Sequence, residues 1–485
     1  MYQFQLNYAR QFGDHNVTAM GLAKREEYAK GSMFKNFRED WVFRGTYDYK
    51  TKYLFEVNGA YNGSEQFGPG YRFDFFPSVG LGWVISNESF FKAGVFDHFK
   101  LRYSVGKVGD DNISGARWLY ASQLAFGGQA RLGEQTNGTS PYSFYRESVV
   151  GNPDIHWETA LKANYGIELG FWQNALNVNI DIYNEERTDI LMTGAQRNVP
   201  PFFGATPPSA NLGRVKSKGF EIEVNFNKQL NAFWRLWGNA SFSRNTNKII
   251  FRDDAPLLYD YQKQAGYPIG QTRSQISAGF YNNWDEVYAS VPTENNDLQK
   301  LPGYYNLVDF NGDGVIKADD SAPVGYSGIP QNTGTFTLGA DLKGLSFSVQ
   351  FYGVANVNRV IPFNNYLNNT DILFGHARDY WSKDNPNASS FLPRWKTPGE
   401  NAGNYFVYDA SFLRLRNAEI AYSFDRSEHL KKKNISNMRI FLNGTNLFFW
   451  SKLPDDREGT YDGGGATTGA YPTMRRINLG IDFSF

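Results

Sequence analysis

Apolar and polar side chains alternate along most of this chain. Leu176, Val178, Ile180 and Ile182 are interleaved with Asn177, Asn179 and Asp181, and Phe220, Ile222, Val224 and Phe226 with Glu221, Glu223 and Asn225. The same rhythm runs through Tyr53, Phe55, Val57, Gly59 and Tyr61, through Trp234, Leu236, Gly238, Ala240 and Phe242, and through Phe336, Leu338, Ala340 and Leu342. It recurs in Leu345, Phe347, Val349 and Phe351, opposite Ser346, Ser348 and Gln350. A period of two sends successive side chains to opposite faces of a sheet, so these segments predict strands. Roughly 14 to 16 of them can be drawn, many of about 9–12 residues, the length a tilted membrane strand needs.

Connections fall into two classes. Short polar turns such as Gly13-Asp14-His15 and Asp341-Leu342-Lys343-Gly344 join some neighbours. Others are separated by long irregular stretches at approximately 109–155, 188–213, 248–275, 283–332 and 356–408. Soluble domains seldom carry connections beyond about 15 residues, whereas outer-membrane barrels combine short periplasmic turns with long extracellular loops. Alternation alone also fits a soluble β-sandwich. A face of Phe, Leu, Ile, Val, Trp and Tyr opposed by Asn, Ser, Thr, Asp and Glu suits lipid on one side and a watery lumen on the other. The last stretch, Arg475 to Phe485, aligns Ile477, Leu479, Ile481, Phe483 and Phe485. It predicts a strand that closes a barrel and so leaves no unpaired edge; the bland alternative is an ordinary edge strand.

Composition narrows the function. Lys+Arg and Asp+Glu number 49 each, so the basic surplus that nucleic-acid binding requires is missing. There is no cysteine, which excludes disulfides, thiolate metal sites and a cysteine nucleophile. Mean hydropathy is −0.51 and no apolar run has the length of a transmembrane helix, a test that barrel strands evade because only every second side chain meets lipid. The opening MYQFQLNYARQFGDHNVTAM has no leader pattern and starts as though inside a strand, so a leader and further sequence are expected ahead of Met1.

One local motif carries metal chemistry. In DFNGDGVIKADD, Asp309, Asn311 and Asp313 stand at positions one, three and five, Gly314 at six, the Val315 carbonyl at seven and Asp320 at twelve. That is the oxygen spacing of a Ca2+ loop. Lys317 at nine and Asp in place of Glu at twelve depart from it, and a metal-free turn rich in Asp, Asn and Gly is the alternative. With no flanking helix pair, the expectation is a clip in an extracellular loop. His15, His98, His156, His376 and His429 are scattered, and G-x-S-x-G, H-E-x-x-H and P-loop signatures are missing. The pairs Glu185-Glu186 and Asp253-Asp254 read as solvated loop residues rather than a glycosidase dyad. Trp118, Tyr120, Phe202, Phe203, Tyr304 and Tyr305 could stack on sugars, meet a partner or pack the loops. Tyr422, Phe424, Phe448, Phe449 and Trp450 are expected to form an interfacial girdle.

Nine segments, in order, resemble SusC/RagA-type TonB-dependent transporters. They are FFPSVGLGWVISNESFF (75–91), LKANYGIELGFWQNALNVNIDIYNEERTDILM (161–192), NLGRVKSKGFEIEVNF (211–226), GYPIGQTRSQISAGFYNNWDEV (266–287), DFNGDGVIKADD (309–320), YWSKDNPNAS (380–389), DASFLRLRNAEIAYSF (409–424), MRIFLNGTNLFFWSKL (438–453) and YPTMRRINLGIDFSF (471–485). The resemblance implies an all-β fold, a transmembrane antiparallel β-barrel of which residues 1–485 are the carboxy-terminal part, the family's whole barrel having about 22 strands. The plug, the TonB box and the first strands would precede this chain. It further implies location in the Gram-negative outer membrane, contact with outer-membrane lipid and TonB-energised import of a glycan or peptide. The implied partner is a SusD-like surface lipoprotein acting as a lid, with two such pairs side by side. Rival readings are a passive porin or structural barrel, a secreted carbohydrate-binding β-sheet protein and, third, an enzyme.

Overall fold

The computed structural model describes every residue except 30–34, 93, 114–116, 130–141, 204, 296, 361–378, 389–402, 425–435, 454–472 and 485. His376, His429 and the terminal Phe485 therefore lie outside the described residues. Fifteen antiparallel strands form one sheet in which each strand lies beside its sequence neighbour among the fifteen. Tyr2–Phe12 and Arg476–Ser484 are its two edges. Among the described residues no helix is long and apolar enough to cross a membrane.

The chain divides into two compact units. The first comprises Met1–Phe220, Thr246–Leu258 and Lys263–Tyr267. It holds the strands Tyr2–Phe12, His15–Tyr28, Asn36–Tyr49, Tyr53–Ser64, Phe73–Val84, Phe96–Asp110, Glu158–Phe171 and Leu176–Met192. Register makes the two faces explicit. Val17, Tyr47, Phe55, Leu81, Tyr103, Tyr165 and Ile182 are successive cross-strand partners in one row. The adjacent row reads Thr18, Thr46, Glu56, Gly80, Ser104 and Asn164. One residue of slip would exchange these rows, so alternation fixes the pairing.

The second unit comprises Glu221–Asn245, Tyr259–Gln262 and Pro268–Phe485. Its sheet strands include Asn332–Leu342, Leu345–Ala355, Phe412–Ser423, Asn437–Ser451 and Arg476–Ser484. Gly238, Leu338, Val349, Ala418, Gly444 and Ile477 line up on one face, and Asn239, Thr337, Gln350, Asn417, Thr445 and Arg476 on the other. Large apolar side chains stay exposed on the first face: Leu338 is 43% accessible, Ile420 46% and Leu479 76%. A continuous face of this kind marks a surface that meets something other than water.

Short turns close to two residues. Phe12 pairs with His15 across Gly13-Asp14, and Leu342 with Leu345 across Lys343-Gly344. Lys343 and Gly344 both take positive φ, 47° and 92°, the backbone of a two-residue hairpin whose twist matches its strands. Asp341 and Leu342, expected in the turn, thus belong to the strand. The long connections are less irregular than expected. Within or beside them Gln123–Gln129 pairs with Ser143–Val149, Gln271–Ser274 with Ala322–Ser327, and Ser277–Phe280 with Tyr305–Leu307. Buried apolar residues gather where these connections meet the sheet. Phe67, Phe76, Ile113, Ile155 and Trp157 form a core in the first unit, and Phe280, Tyr305, Trp381, Ala388 and Phe406 one in the second.

Candidate functional site

The polar face is a lattice of paired charges. In the first unit Arg102 bridges Glu168, 2.6 Å away, and Asp181, 3.1 Å away; Asn164 donates to Asp181 at 2.7 Å, and Lys100 approaches Glu168 at 3.4 Å. In the second unit Arg439 pairs with Glu419 and with Asp482; Asn443 donates to Glu419 at 3.4 Å, and Asn478 to Asn443 at 2.9 Å. Each of these acids sits beside a base, which gives this part of the wall alternating charge without an excess of either sign. Glu185 and Glu186 belong to separate pairs, with Lys162 and Arg187 and with Arg214 and Lys216. Asp253 pairs with Arg197 and Asp254 accepts from the Gln264 and Ala265 amides, so neither pair is arranged as a catalytic dyad.

An apolar island interrupts the polar face near the long connections of the second unit. The Arg414 side chain is fully buried, with its guanidinium 4.4 Å from the Phe449 ring centroid and 6.0 Å from that of Phe412. Phe449 is the register partner of Arg414, and Trp450 of the apolar-face residue Leu413. Phe449 therefore lies opposite Phe448 and Trp450, which corrects its place in the expected girdle. A bulge between Leu415 and Asn417, facing Asn446 at φ 55°, shifts the register here. Tyr352, the register partner of Arg414 on the other flank, lies 5.7 Å from the Phe412 ring and belongs to the same island.

The Asp309–Asp320 loop is wound tightly. Asp309 accepts from the amides of Gly312 at 2.8 Å, Asp313 at 3.2 Å and Gly314 at 2.8 Å. Gly312 and Gly314 take φ of 73° and 87°, which residues with a Cβ avoid. The carboxylate of Asp320, wholly buried, accepts from Phe310 at 2.8 Å, Asn311 at 3.2 Å and Lys317 at 2.8 Å. The Ile316 amide donates to the Pro292 carbonyl at 2.8 Å, and the Glu294 amide to the Ile316 carbonyl at 3.0 Å. Lys317 stands 2.7 Å from Asp313 and, with the Val315 amide, holds that carboxyl below its ordinary range.

Asp309, Asn311, Asp313 and the Val315 carbonyl are hard oxygen donors of the sort calcium takes. Among the described residues, however, no three His, Cys, Asp or Glu side chains converge closely enough to hold a metal. Asp320, expected to close the coordination sphere, accepts from three backbone amides, as Asp309 does at the first position.

The loop aromatics separate sharply. Tyr305 is 4% accessible while Phe202 is 90% accessible. Burial next to Tyr405 drives the Tyr305 phenol far above its usual range. Trp118 is half-buried under the Arg117 guanidinium, 4.5 Å from the ring centroid. Tyr305 packs the loop core, and Phe202 alone of these is fully presented.

A long antiparallel sheet with one exposed apolar face, one charge-paired face and loops elaborated on one side is the design of an outer-membrane β-barrel. The model of the TonB dependent receptor-like β-barrel family matches residues 3–447, and the chain belongs to that family. It is 27% identical over 481 residues to TonB-dependent receptor P3 of Formosa agariphila, covering 91% of this chain and 45% of the relative. It is 26% identical over 463 residues to TonB-dependent receptor SusC of Bacteroides thetaiotaomicron, covering 93% and 44%. The structure of the RagAB peptide transporter matches with a TM-score of 0.74 at 20% identity, over all of this chain and 55% of that one. The chain spans less than half the length of these curated relatives.

Proposed function

We propose that the intact protein is a TonB-energised importer in the Gram-negative outer membrane that takes up oligomeric nutrients, glycans or peptides, under a SusD-like lipoprotein lid. The observation that carries this is the two-faced fifteen-stranded sheet, apolar and exposed on one side and charge-paired on the other, as a wall between lipid and a watery passage requires. The kinship with SusC and the fold shared with a peptide importer support the coarse class, and RagAB, a peptide transporter, argues for a peptide. Because the chain represents part of the length of its relatives, coupling to TonB and the pairing with the lid belong to this proposal. A strain lacking the gene should lose growth on one class of oligomer, and depletion of TonB should reproduce that loss. Uptake that persists without TonB would favour a passive porin.

Calcium enters the same proposal at one point. Asp309, Asn311, Asp313 and the Val315 carbonyl would hold the ion once Lys317 leaves Asp313, with Asp320 securing the backbone that presents them. Calorimetric titration of the intact protein with calcium should show one site. Silence at millimolar calcium would leave a self-capped turn.

A further inference from the structure

On the apolar face of the second unit, one cross-strand row lacks side chains at its centre. Phe242, Gly334, Gly353 and Leu413 are successive register partners. Two glycines side by side open a notch roughly two strand spacings, about 10 Å, across, walled by Phe242 and Leu413. The next row places Phe336 beside Phe351 as its lower boundary. The cavity is about 550 Å3 and these residues line it, within the roughly 300–1,000 Å3 of small-molecule sites.

Two polar features stand at the mouth. Arg244, two residues beyond Phe242 on the same face, is exposed and has no ion-pair partner among the described residues. Its register partner Asn332 also lines the notch, and its side-chain carbonyl oxygen is buried without a hydrogen-bond partner among the described residues. An apolar slot ending at an unanswered cation and an unanswered acceptor asks for an amphiphile with a phosphate and an N–H or O–H donor.

We propose that this notch seats one acyl chain of a phosphorylated outer-leaflet glycolipid of the lipid A type, with Arg244 on its phosphate and Asn332 accepting from its amide or hydroxyl. The inference rests on the reading that this face meets lipid. The notch lies at the strand ends that lead to the longer connections, the extracellular side in such barrels. Its walls continue the surface that contacts the membrane, so the occupant comes from the bilayer.

Gly334→Leu supplies the test. A Cβ at Gly334 meets only the Ser241 carbonyl at 3.5 Å and Phe242 Cδ2 at 3.6 Å, ordinary contacts, so the variant fills the notch without forcing the backbone. The intact protein, purified in mild detergent and delipidated, is incubated with monophosphoryl lipid A and examined by native mass spectrometry. Wild type should retain it. Gly334→Leu, checked for heat-modifiable gel mobility, should bind about tenfold more weakly, the effect of losing contact with roughly two methylenes. Arg244→Gln should abolish the preference for lipid A over its dephosphorylated form. Equal retention by folded Gly334→Leu and wild type would overturn the proposal, as would equal competition from phosphatidylethanolamine. A protein that remains soluble without detergent would instead refute the membrane reading beneath it.

Discussion

The Lys317 ammonium and the Asp313 carboxylate meet at 2.7 Å, so the ninth side chain of the loop already neutralises the carboxylate proposed as a ligand at its fifth position. A divalent ion must displace this internal cation before it can use Asp313. Lys317→Ser should therefore strengthen calcium binding several-fold, as read by isothermal titration calorimetry; unchanged or weaker binding would show that the pair does not compete with metal.

Asp320 has a separable role. Its carboxylate is the acceptor for three backbone amides in a place without solvent, and a buried donor stripped of its partner costs about 1–3 kcal/mol. Asp320→Ala should speed amide hydrogen exchange at Phe310, Asn311 and Lys317 by at least tenfold while leaving the sheet protected.

Trp157 anchors the loop core of the first unit. It is 2% accessible, its indole N–H donates to the Arg72 carbonyl at 3.1 Å, and its ring lies 5.3 Å from both Phe67 and Phe76. Trp157→Ala should destabilise this region by about 3–5 kcal/mol, seen in denaturant unfolding of the detergent-solubilised protein. Trp157→Phe should cost markedly less.

At a turn of the first unit, hydrogen bonds from Tyr53, Lys52 and Trp83 hold the Glu88 carboxyl down at about 2. A depressed carboxyl stabilises the fold above its unfolded value of 4.5, and that contribution disappears as pH falls toward 2. Glu88→Gln should consequently lower the thermal midpoint at pH 7 and narrow the gap to wild type at pH 3. A gap that widens in acid would contradict the assignment.

The two faces of the sheet should respond differently to charge. Leu338→Arg, on the apolar face, should cost about 2–4 kcal/mol in folding into lipid vesicles. Thr337→Arg, one residue away on the polar face, should cost far less. Similar penalties would mean that both faces see one environment.

Much of the sheet was legible because alternation names a face as well as a strand: Leu176 to Ile182, Phe336 to Leu342 and Leu345 to Phe351 all lie where their pattern put them. Phe449 was misplaced because a bulge inserts residues that no periodicity signals. The small sheets within the long connections escaped notice since strands of three or four residues with shifted register carry too little alternation to detect. The loop core was equally invisible, because Phe280, Tyr305, Trp381 and Phe406 come together from remote stretches of chain. Asp309, Asn311 and Asp313 do share one turn as their spacing suggested. That Asp320 would serve amides, and Lys317 would answer Asp313, depends on backbone direction that spacing does not encode.

The answered charges of the polar face have a kinetic corollary. In the proposed importer a solute drifting past Arg102 or Arg439 would find each guanidinium already paired, so the wall would offer no deep resting place where transit could stall. On that proposal selection would fall to the entrance, leaving the interior as a slippery conduit.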